Sequence, residues 1–118
     1  HLDTKKTFLN DWIKQFEERK NFLVDFFNSI NQFEVINPEG AFYLFVGCKG
    51  FMQKRIPDGK IILNDVDFAE FILTDSKVAI VPGIAFGKSP YFRISYATSL
   101  DDLKLACKRI KNSVSKIL

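Results

Sequence analysis

The chain has 118 residues, of which 47% are hydrophobic and 26% charged, a balance typical of one soluble globular domain with its own core. The 17 basic and 14 acidic residues are scattered, and this argues against a nucleic-acid partner, since nucleic-acid binders concentrate Lys and Arg on one surface. No apolar run approaches the roughly 20 residues of a membrane-spanning helix, and no leader is visible, so we expect a cytoplasmic protein without a membrane partner.

Residues 7–30 predict one long helix. Its apolar residues recur at three- and four-residue steps, which places them on one face. They are Leu9, Trp12, Ile13, Phe16, Leu23, Phe27 and Ile30. The segment 37–40 then predicts a turn, because Pro38 fixes φ and Gly40 accepts the positive φ of a type II turn.

Two strands and a helix follow the turn. Residues 41–46 are an aromatic and β-branched run typical of a largely buried strand, and residues 47–60 predict a long irregular loop. A short helix begins at Asn64-Asp65, either of which can cap it. Residues 78–81 predict a short strand that stops at Pro82-Gly83.

The C-terminal third predicts a further strand and the last helix. Residues 91–96 alternate, so that Arg93 and Ser95 lie on one face and Phe92, Ile94 and Tyr96 on the other. Ser99, with Asp102 three residues later, predicts the helix start. The inner stripe of this helix comprises Leu103, Cys107, Ile110, Val114 and Ile117.

This order of elements predicts a single α+β domain over residues 1–118, a small mixed or antiparallel sheet with helices packed on one face. The 13 phenylalanines predict a core built largely of aromatic rings. An aromatic binding surface is the alternative, but most Phe residues fall at core spacing.

Few residues could perform chemistry. The only histidine is His1, and a chain that begins there is expected to be an excised piece of a longer one, or to carry a residue left by cloning. His-based catalysis and His-ligated metal sites are therefore nearly excluded. Asp65 and Asp67 are explained better by a helix N-terminus than by a metal. Cys48 and Cys107 are expected to be buried free thiols in a reducing compartment.

Residues 83–89 imitate a phosphate-binding loop but do not satisfy its requirements. The spacing from Gly83 to Gly87-Lys88-Ser89 is one residue short of G-x-x-x-x-G-K-[ST]. A strand is predicted to follow, where a phosphate loop needs a helix N-terminus. No nucleotide site is predicted.

Arg93 is the residue most in need of an explanation, because a guanidinium within an apolar strand requires an anionic partner. Its planar fork suits bidentate binding of a ligand carboxylate. The alternatives are a structural salt bridge or a side chain that reaches solvent at a sheet edge, and the residues alone favour these structural roles.

Three motifs together resemble class I aminotransferases. They are 38–43 (PEGAFY), 78–87 (VAIVPGIAFG) and 92–97 (FRISYA), which stand in the order and approximate spacing of that family. The resemblance extends through the first and last helices. The loop that runs from Cys48 through Lys60 to Asp67-Phe68 also resembles a bacterial branch of aspartate aminotransferases that includes members acting on prephenate.

The resemblance implies the C-terminal small domain of a fold-type I aminotransferase that depends on pyridoxal 5'-phosphate. Residues 7–30 would be the helix that bridges two domains, and residues 38–118 the body of the small domain. Arg93 would bind the substrate α-carboxylate, and Phe42 would line the substrate pocket. Pro82-Gly83 and Phe86-Gly87 would shape the cleft, where the family usually has Ser or Thr in place of Ile84.

The same resemblance places the cofactor elsewhere. The lysine that holds it lies in the N-terminal large domain of the family, and no lysine here, Lys88 included, matches that context. We therefore expect no catalytic or cofactor-binding residue in this chain, no bound pyridoxal phosphate and no activity of the chain alone. The parent would be a homodimer that takes amino acid and 2-oxo acid substrates. The alternative is a free-standing α+β ligand-binding or regulatory module without catalysis.

Overall fold

The computed structural model describes residues 2–36, 42–86 and 90–118, and in these ranges all side chains except those of residues 2–10, 12, 85 and 86. The helices of the described residues are α1 (Leu2–Asn28), α2 (Asp65–Ser76) and α3 (Leu100–Val114). The strands are β1 (Glu34–Ile36), β2 (Tyr43–Gly47), β3 (Val81–Pro82) and β4 (Tyr91–Ser95). Short 3-10 turns lie at Lys49–Phe51 and Gly83–Phe86. The predicted turn at 37–40 lies outside these ranges.

The four strands form one sheet in the order β1-β2-β4-β3, and every neighbouring pair is antiparallel. β2 and β4 occupy its centre and pair over five residues. One face of the central pair is buried under the helices through Leu44, Val46, Phe92 and Ile94, which are at most 4% exposed. The predicted α+β class, with helices on one face of a small sheet, is confirmed.

The long first helix is confirmed, but its bounds and its buried face differ from the prediction. It ends at Asn28, where the amide of Ser29 bonds to the carbonyls of both Asp25 and Phe26 and the chain turns. Leu23 and Phe27 are fully buried, whereas Ile13 is 52% exposed. The C-terminal part of α1 therefore packs on the rest of the domain. Ile13, nearer its N-terminus, is not covered by the described residues.

Both shorter helices begin at the predicted caps. The side chain of Asn64 accepts a hydrogen bond from the amide of Asp67 at 2.9 Å, and the hydroxyl of Ser99 accepts one from the amide of Asp102 at 3.1 Å. Each bond satisfies one of the amides that a helix N-terminus leaves without a partner. The inner stripe predicted for α3 is buried from Leu103 to Val114.

The strands differ from the prediction in three places. β1 was missed, since three residues are too few for a clear alternating pattern. The strand predicted at 78–81 is reduced to Val81–Pro82; Pro82 is tolerated there because β3 is an edge strand that needs no amide from it. The first predicted strand is buried on one face only, with Tyr43 38% exposed on the other.

The loop after β2 folds on itself and is hydrogen-bonded to Leu118. Arg55 and Ile61 form an antiparallel bridge, and the tip between them turns through Gly59, whose φ is 96°. The backbone of Arg55 also exchanges two hydrogen bonds with Leu118, of 3.0 and 2.9 Å. The long loop predicted at residues 47–60 is therefore packed rather than extended into solvent.

An aromatic cluster confirms that Phe residues build the core. The ring of Phe33 lies 5.0 Å from those of Phe27 and Phe51, 5.9 Å from Phe68 and 5.8 Å from Phe92, measured between centroids. These rings come from α1, the segment before β1, the 3-10 turn, α2 and β4. The cluster therefore holds together elements that are distant in sequence. No helix within the described ranges has the length and apolar character of a membrane span.

The first prediction concerns this cluster. Phe33→Ala should lower the free energy of unfolding by about 3–5 kcal/mol, because it removes a buried ring and leaves a cavity among four others. Urea unfolding followed by circular dichroism measures it. Leu105→Ala, at a position 47% exposed on α3, is the matched control and should change stability by less than about 0.5 kcal/mol. Equal losses for the two variants would show that Phe33 is not a core residue.

A second prediction concerns the pH dependence of stability. The Asp75 carboxylate accepts hydrogen bonds from the hydroxyl of Ser113 at 2.6 Å and the ammonium of Lys116 at 3.0 Å, joining α2 to the end of α3. These bonds, that of Ser113 foremost, lower the pKa of Asp75 below its usual 3.8. Because the folded-state pKa is lowered, the contribution is complete above the usual pKa and is lost as pH falls through the folded-state value.

At pH 7, Asp75→Asn should therefore be less stable than the unmodified chain, by a few tenths of a kcal/mol to about 1 kcal/mol, since the pair is exposed. On acidification the difference should disappear. Urea midpoints at pH 7 and at a series of lower values, down to the pH at which Asp75 is protonated in the folded chain, measure the change. A difference that stays constant over the whole series would contradict the role of the Asp75 charge.

Candidate functional site

The sheet face opposite the helices carries the polar residues of the central strands. The β2–β4 register sets Tyr43 opposite Ser95 and Phe45 opposite Arg93, and residues opposite each other in an antiparallel pair point to the same face. Val81 of β3 pairs with Arg93 from the other side. Arg93 therefore occupies the middle of this face, and β4 is an interior strand. The alternative of an Arg93 side chain at a sheet edge is wrong.

The Arg93 side chain is half-buried and lies over an aromatic ring. Its Cζ atom is 4.0 Å from the centroid of the Tyr43 ring, within the range of a cation–π interaction. The sequence did not suggest this contact, because Tyr43 meets Arg93 only in one register of the two strands. A protein carboxylate as ion-pair partner stays the alternative to a role of Arg93 in ligand binding.

Phe42, the second predicted site residue, lies directly before β2 with an unusual backbone. Its φ is 75°, a value that bulky side chains rarely adopt. Its carbonyl accepts a hydrogen bond from the amide of Tyr96 at 2.8 Å, three residues after Arg93. The structure thus brings Phe42 to the end of β2 that adjoins the C-terminal end of β4. The ring is 40% exposed.

The Phe42 ring is also the point where α1 meets this end of the sheet. Phe16 of α1 packs edge-to-face on it, with centroids 5.0 Å apart, and lies 6.4 Å from the ring of Tyr96. The Cζ atom of Arg19 lies 5.4 Å from the centroid of the Phe16 ring. These contacts surround Phe42, whose backbone has the unusual φ of 75°. A strained backbone of this kind persists where surrounding contacts determine it, and it is frequent at functional sites.

The 3-10 turn at Gly83–Phe86 is held by a buried carboxylate. Asp65, the first residue of α2, is fully buried and accepts a hydrogen bond from the amide of Ile84 at 3.2 Å. Asp65 thus does more than interact with the helix N-terminus, which is the role expected from its position. The Ile84 side chain is 60% exposed. A strand, β4, follows the turn, as the rejection of a phosphate loop requires, and Gly87, Lys88 and Ser89 lie outside the described residues.

The described side chains offer no anchor for a cofactor. None of the described lysines is buried, and a lysine that forms a Schiff base needs a desolvated site to lower its pKa. Burial raises the pKa of both free thiols, Cys48 and Cys107, to about 12, so neither is a nucleophile at neutral pH. Within the same residues, no group of three His, Cys, Asp or Glu could hold a metal ion.

The fold and the three motifs place the chain among known proteins. A model of the family described as aminotransferase class I and II matches residues 1–110. The chain belongs to this family, and the resemblance stated from its motifs is confirmed. Class I aminotransferases use pyridoxal phosphate, but the described residues do not fit a site that would hold it.

Two relatives indicate which members of the family this chain resembles. The chain is 46% identical over 116 residues to the aspartate aminotransferase of Rhizobium meliloti, a match that covers 98% of this chain and 28% of the relative. It is 46% identical over 111 residues to the probable aspartate/prephenate aminotransferase of Rickettsia felis, with 91% and 27% covered. The chain spans about 28% of the length of these relatives and matches their C-terminal part.

A solved structure shows the same fold. The crystal structure of the aspartate aminotransferase from Rhizobium meliloti matches with a TM-score of 0.90 and 45% identity, over 94% of this chain and 28% of that one. The arrangement of helices and sheet is therefore that of one part of a larger enzyme.

The strained backbone of Phe42 gives a third prediction. Phe42→Gly and Phe42→Ala both lose the contact with Phe16, but only Ala keeps a Cβ that disfavours positive φ. The Gly variant should be more stable than the Ala variant by about 1 kcal/mol, the reverse of the usual order in strands. Urea unfolding of the two variants measures the difference, and the usual order would contradict the positive φ.

Proposed function

We propose that this chain is the C-terminal small domain of an aminotransferase that resembles aspartate aminotransferase and depends on pyridoxal phosphate. The enzyme would transfer an amino group between an amino acid and a 2-oxo acid. The chain's part is to bind the substrate α-carboxylate through Arg93 and to close over the cleft. The observation that carries the proposal is the position of Arg93 in the middle of a sheet face that the helices do not cover.

The chemistry of this face supports carboxylate binding. A guanidinium presents N–H donors in a planar fork that matches the two oxygens of a carboxylate. A half-buried position strengthens such a bond, because fewer water molecules compete for the charges. Phe42 would line the same pocket with an aromatic surface. Closure of the domain would then exclude water around the bound carboxylate.

The rest of the enzyme would lie outside this chain. Pyridoxal phosphate, when bound in such an enzyme, supplies the electron sink that stabilises a carbanion. The N-terminal large domain of the same chain would hold it, α1 would bridge the two domains, residues 38–118 would form the body of the small domain, and two copies of the parent would form a homodimer. The exposure of Ile13 on α1 supports a neighbour there. The chain alone should be inactive, because the lysine that holds the cofactor in the family would lie in the large domain.

Family membership over most of the chain, together with coverage of only 28% of the relatives, supports this proposal over a free-standing binding module. The names of the relatives leave two acceptors to compare, the 2-oxo acid of the aspartate reaction and prephenate. Both are carboxylates with a carbonyl group, so Arg93 would act on each in the same way.

The fourth prediction tests Arg93 in the uninterrupted parent enzyme. Arg93→Ala should lower kcat/KM for aspartate with 2-oxoglutarate by the equivalent of about 2–5 kcal/mol, because a charged hydrogen-bonded pair loses one partner. Arg93→Lys should recover only part, since an ammonium does not form the planar fork. Steady-state kinetics, repeated with prephenate as acceptor, measures the effect and ranks the acceptors.

Arg109→Ala is the matched control, because Arg109 is an exposed arginine of α3. It should leave kcat/KM unchanged. If Arg93→Ala retained the kinetics of the unmodified enzyme, with the cofactor absorbance intact, the α-carboxylate role would be wrong and the ion-pair alternative would stand.

A further inference from the structure

The contact between Tyr43 and Arg93 has no part in the function proposed above, although it is the closest cation–ring approach among the described residues. The Arg93 Cζ atom lies 4.0 Å from the Tyr43 ring centroid, whereas that of Arg19 lies 5.4 Å from the Phe16 ring. Tyr43 is the first residue of β2 and is 38% exposed. It thus lies on the sheet face where a ligand of Arg93 would arrive.

The β2–β4 register accounts for this contact. Tyr43 is directly opposite Ser95, and Arg93, two residues before Ser95, is the diagonal neighbour on the same face. Diagonal neighbours in an antiparallel pair are within reach of aromatic and long side chains. The ring position is therefore fixed by backbone pairing that extends over five residues, and it does not depend on a flexible loop.

An aromatic ring acts on a guanidinium differently from a carboxylate. The negative face of the ring attracts the cation and reduces the rotamer freedom of the long Arg side chain. It offers no charged acceptor, so it does not compete with a substrate carboxylate for the N–H donors, as an Asp or Glu would. A cation that is held in place before the ligand binds loses less conformational entropy on binding.

We propose that Tyr43 is a positioning residue that holds the guanidinium of Arg93 in the orientation that binds a carboxylate. This inference rests on the proposed role of Arg93. The ring face of Tyr43 carries the effect, and the phenol hydroxyl is not required. Tyr43 itself does not bind the substrate.

The test uses the parent enzyme with Tyr43→Leu, Tyr43→Phe and Arg93→Ala. The probe is maleate, a dicarboxylate, whose dissociation constant is measured by calorimetry, together with kcat and KM for aspartate. Tyr43→Leu should weaken maleate binding about 3–30-fold, the range that corresponds to a cation–π contact from exposed to desolvated sites. KM should rise by a similar factor with little change in kcat, as expected for a loss of uniform binding.

Tyr43→Phe should restore most of the affinity lost in Tyr43→Leu, because it returns the ring without the hydroxyl. Tyr91→Leu is the matched control: Tyr91 is also a tyrosine at the end of a central strand, but it pairs with Gly47 at the opposite end of β4. It should leave the dissociation constant of maleate unchanged.

A second series keeps the shape of the ring and changes only its electrostatics. Progressively fluorinated phenylalanines at position 43 reduce the negative charge on the ring face, so affinity for maleate should fall stepwise from Phe to trifluoro-Phe. This series also decides the question if Tyr43→Leu does not fold. Equal affinity across the series would overturn the cation–π role.

The outcomes separate this inference from the proposed function. Loss of maleate binding in Arg93→Ala with unchanged binding in Tyr43→Leu would overturn the role of Tyr43 and leave that of Arg93 intact. Unchanged binding in Arg93→Ala would overturn both. Parallel losses in Tyr43→Leu and Tyr91→Leu would also overturn the inference, because the effect would then not depend on the ring over Arg93.

Discussion

The register between β2 and β4 is the constraint on which the rest of the structure depends. It sends Leu44 and Phe92 into the core beneath the helices and keeps Arg93 on the opposite face. A slip of one residue would exchange the two faces of a strand, burying a guanidinium and exposing large apolar side chains. Either change is far more costly than the loss of a ladder hydrogen bond, so burial selects this register and no other.

The Phe cluster is what makes that selection firm. Rings from four other segments meet around Phe33, and β4 contributes Phe92 to them. A shift of β4 would therefore separate Phe92 from Phe27, Phe33 and Phe68. The cluster also holds the strained backbone of Phe42 indirectly, because α1 presents Phe16 to it and the amide of Tyr96 bonds to its carbonyl. A rigid core on one face thereby fixes the positions of side chains on the other.

The two faces of the sheet correspond to two roles. One is a closed hydrophobic core, and the other presents a cation next to an aromatic ring. The described residues present a guanidinium over an aromatic ring but no buried lysine. The absence of a buried lysine among the described residues fits a chain that spans about 28% of the length of its relatives. The proposed function assigns recognition to this chain and the cofactor chemistry to the part that it does not include.

The sequence by itself determined the class of the fold, three helices, the capping residues Asn64 and Ser99, and the family, because these depend on local spacing and on motifs that are each contiguous in the chain. The tertiary structure decided what depends on distant residues. β1 exists only because β2 pairs with it, Asp65 is buried only because the turn at Ile84 folds onto α2, and Phe42 takes a positive φ without any local signal, since that conformation usually belongs to glycine. Tyr43 reaches Arg93 only in the observed register, and no pattern within either strand contains that information.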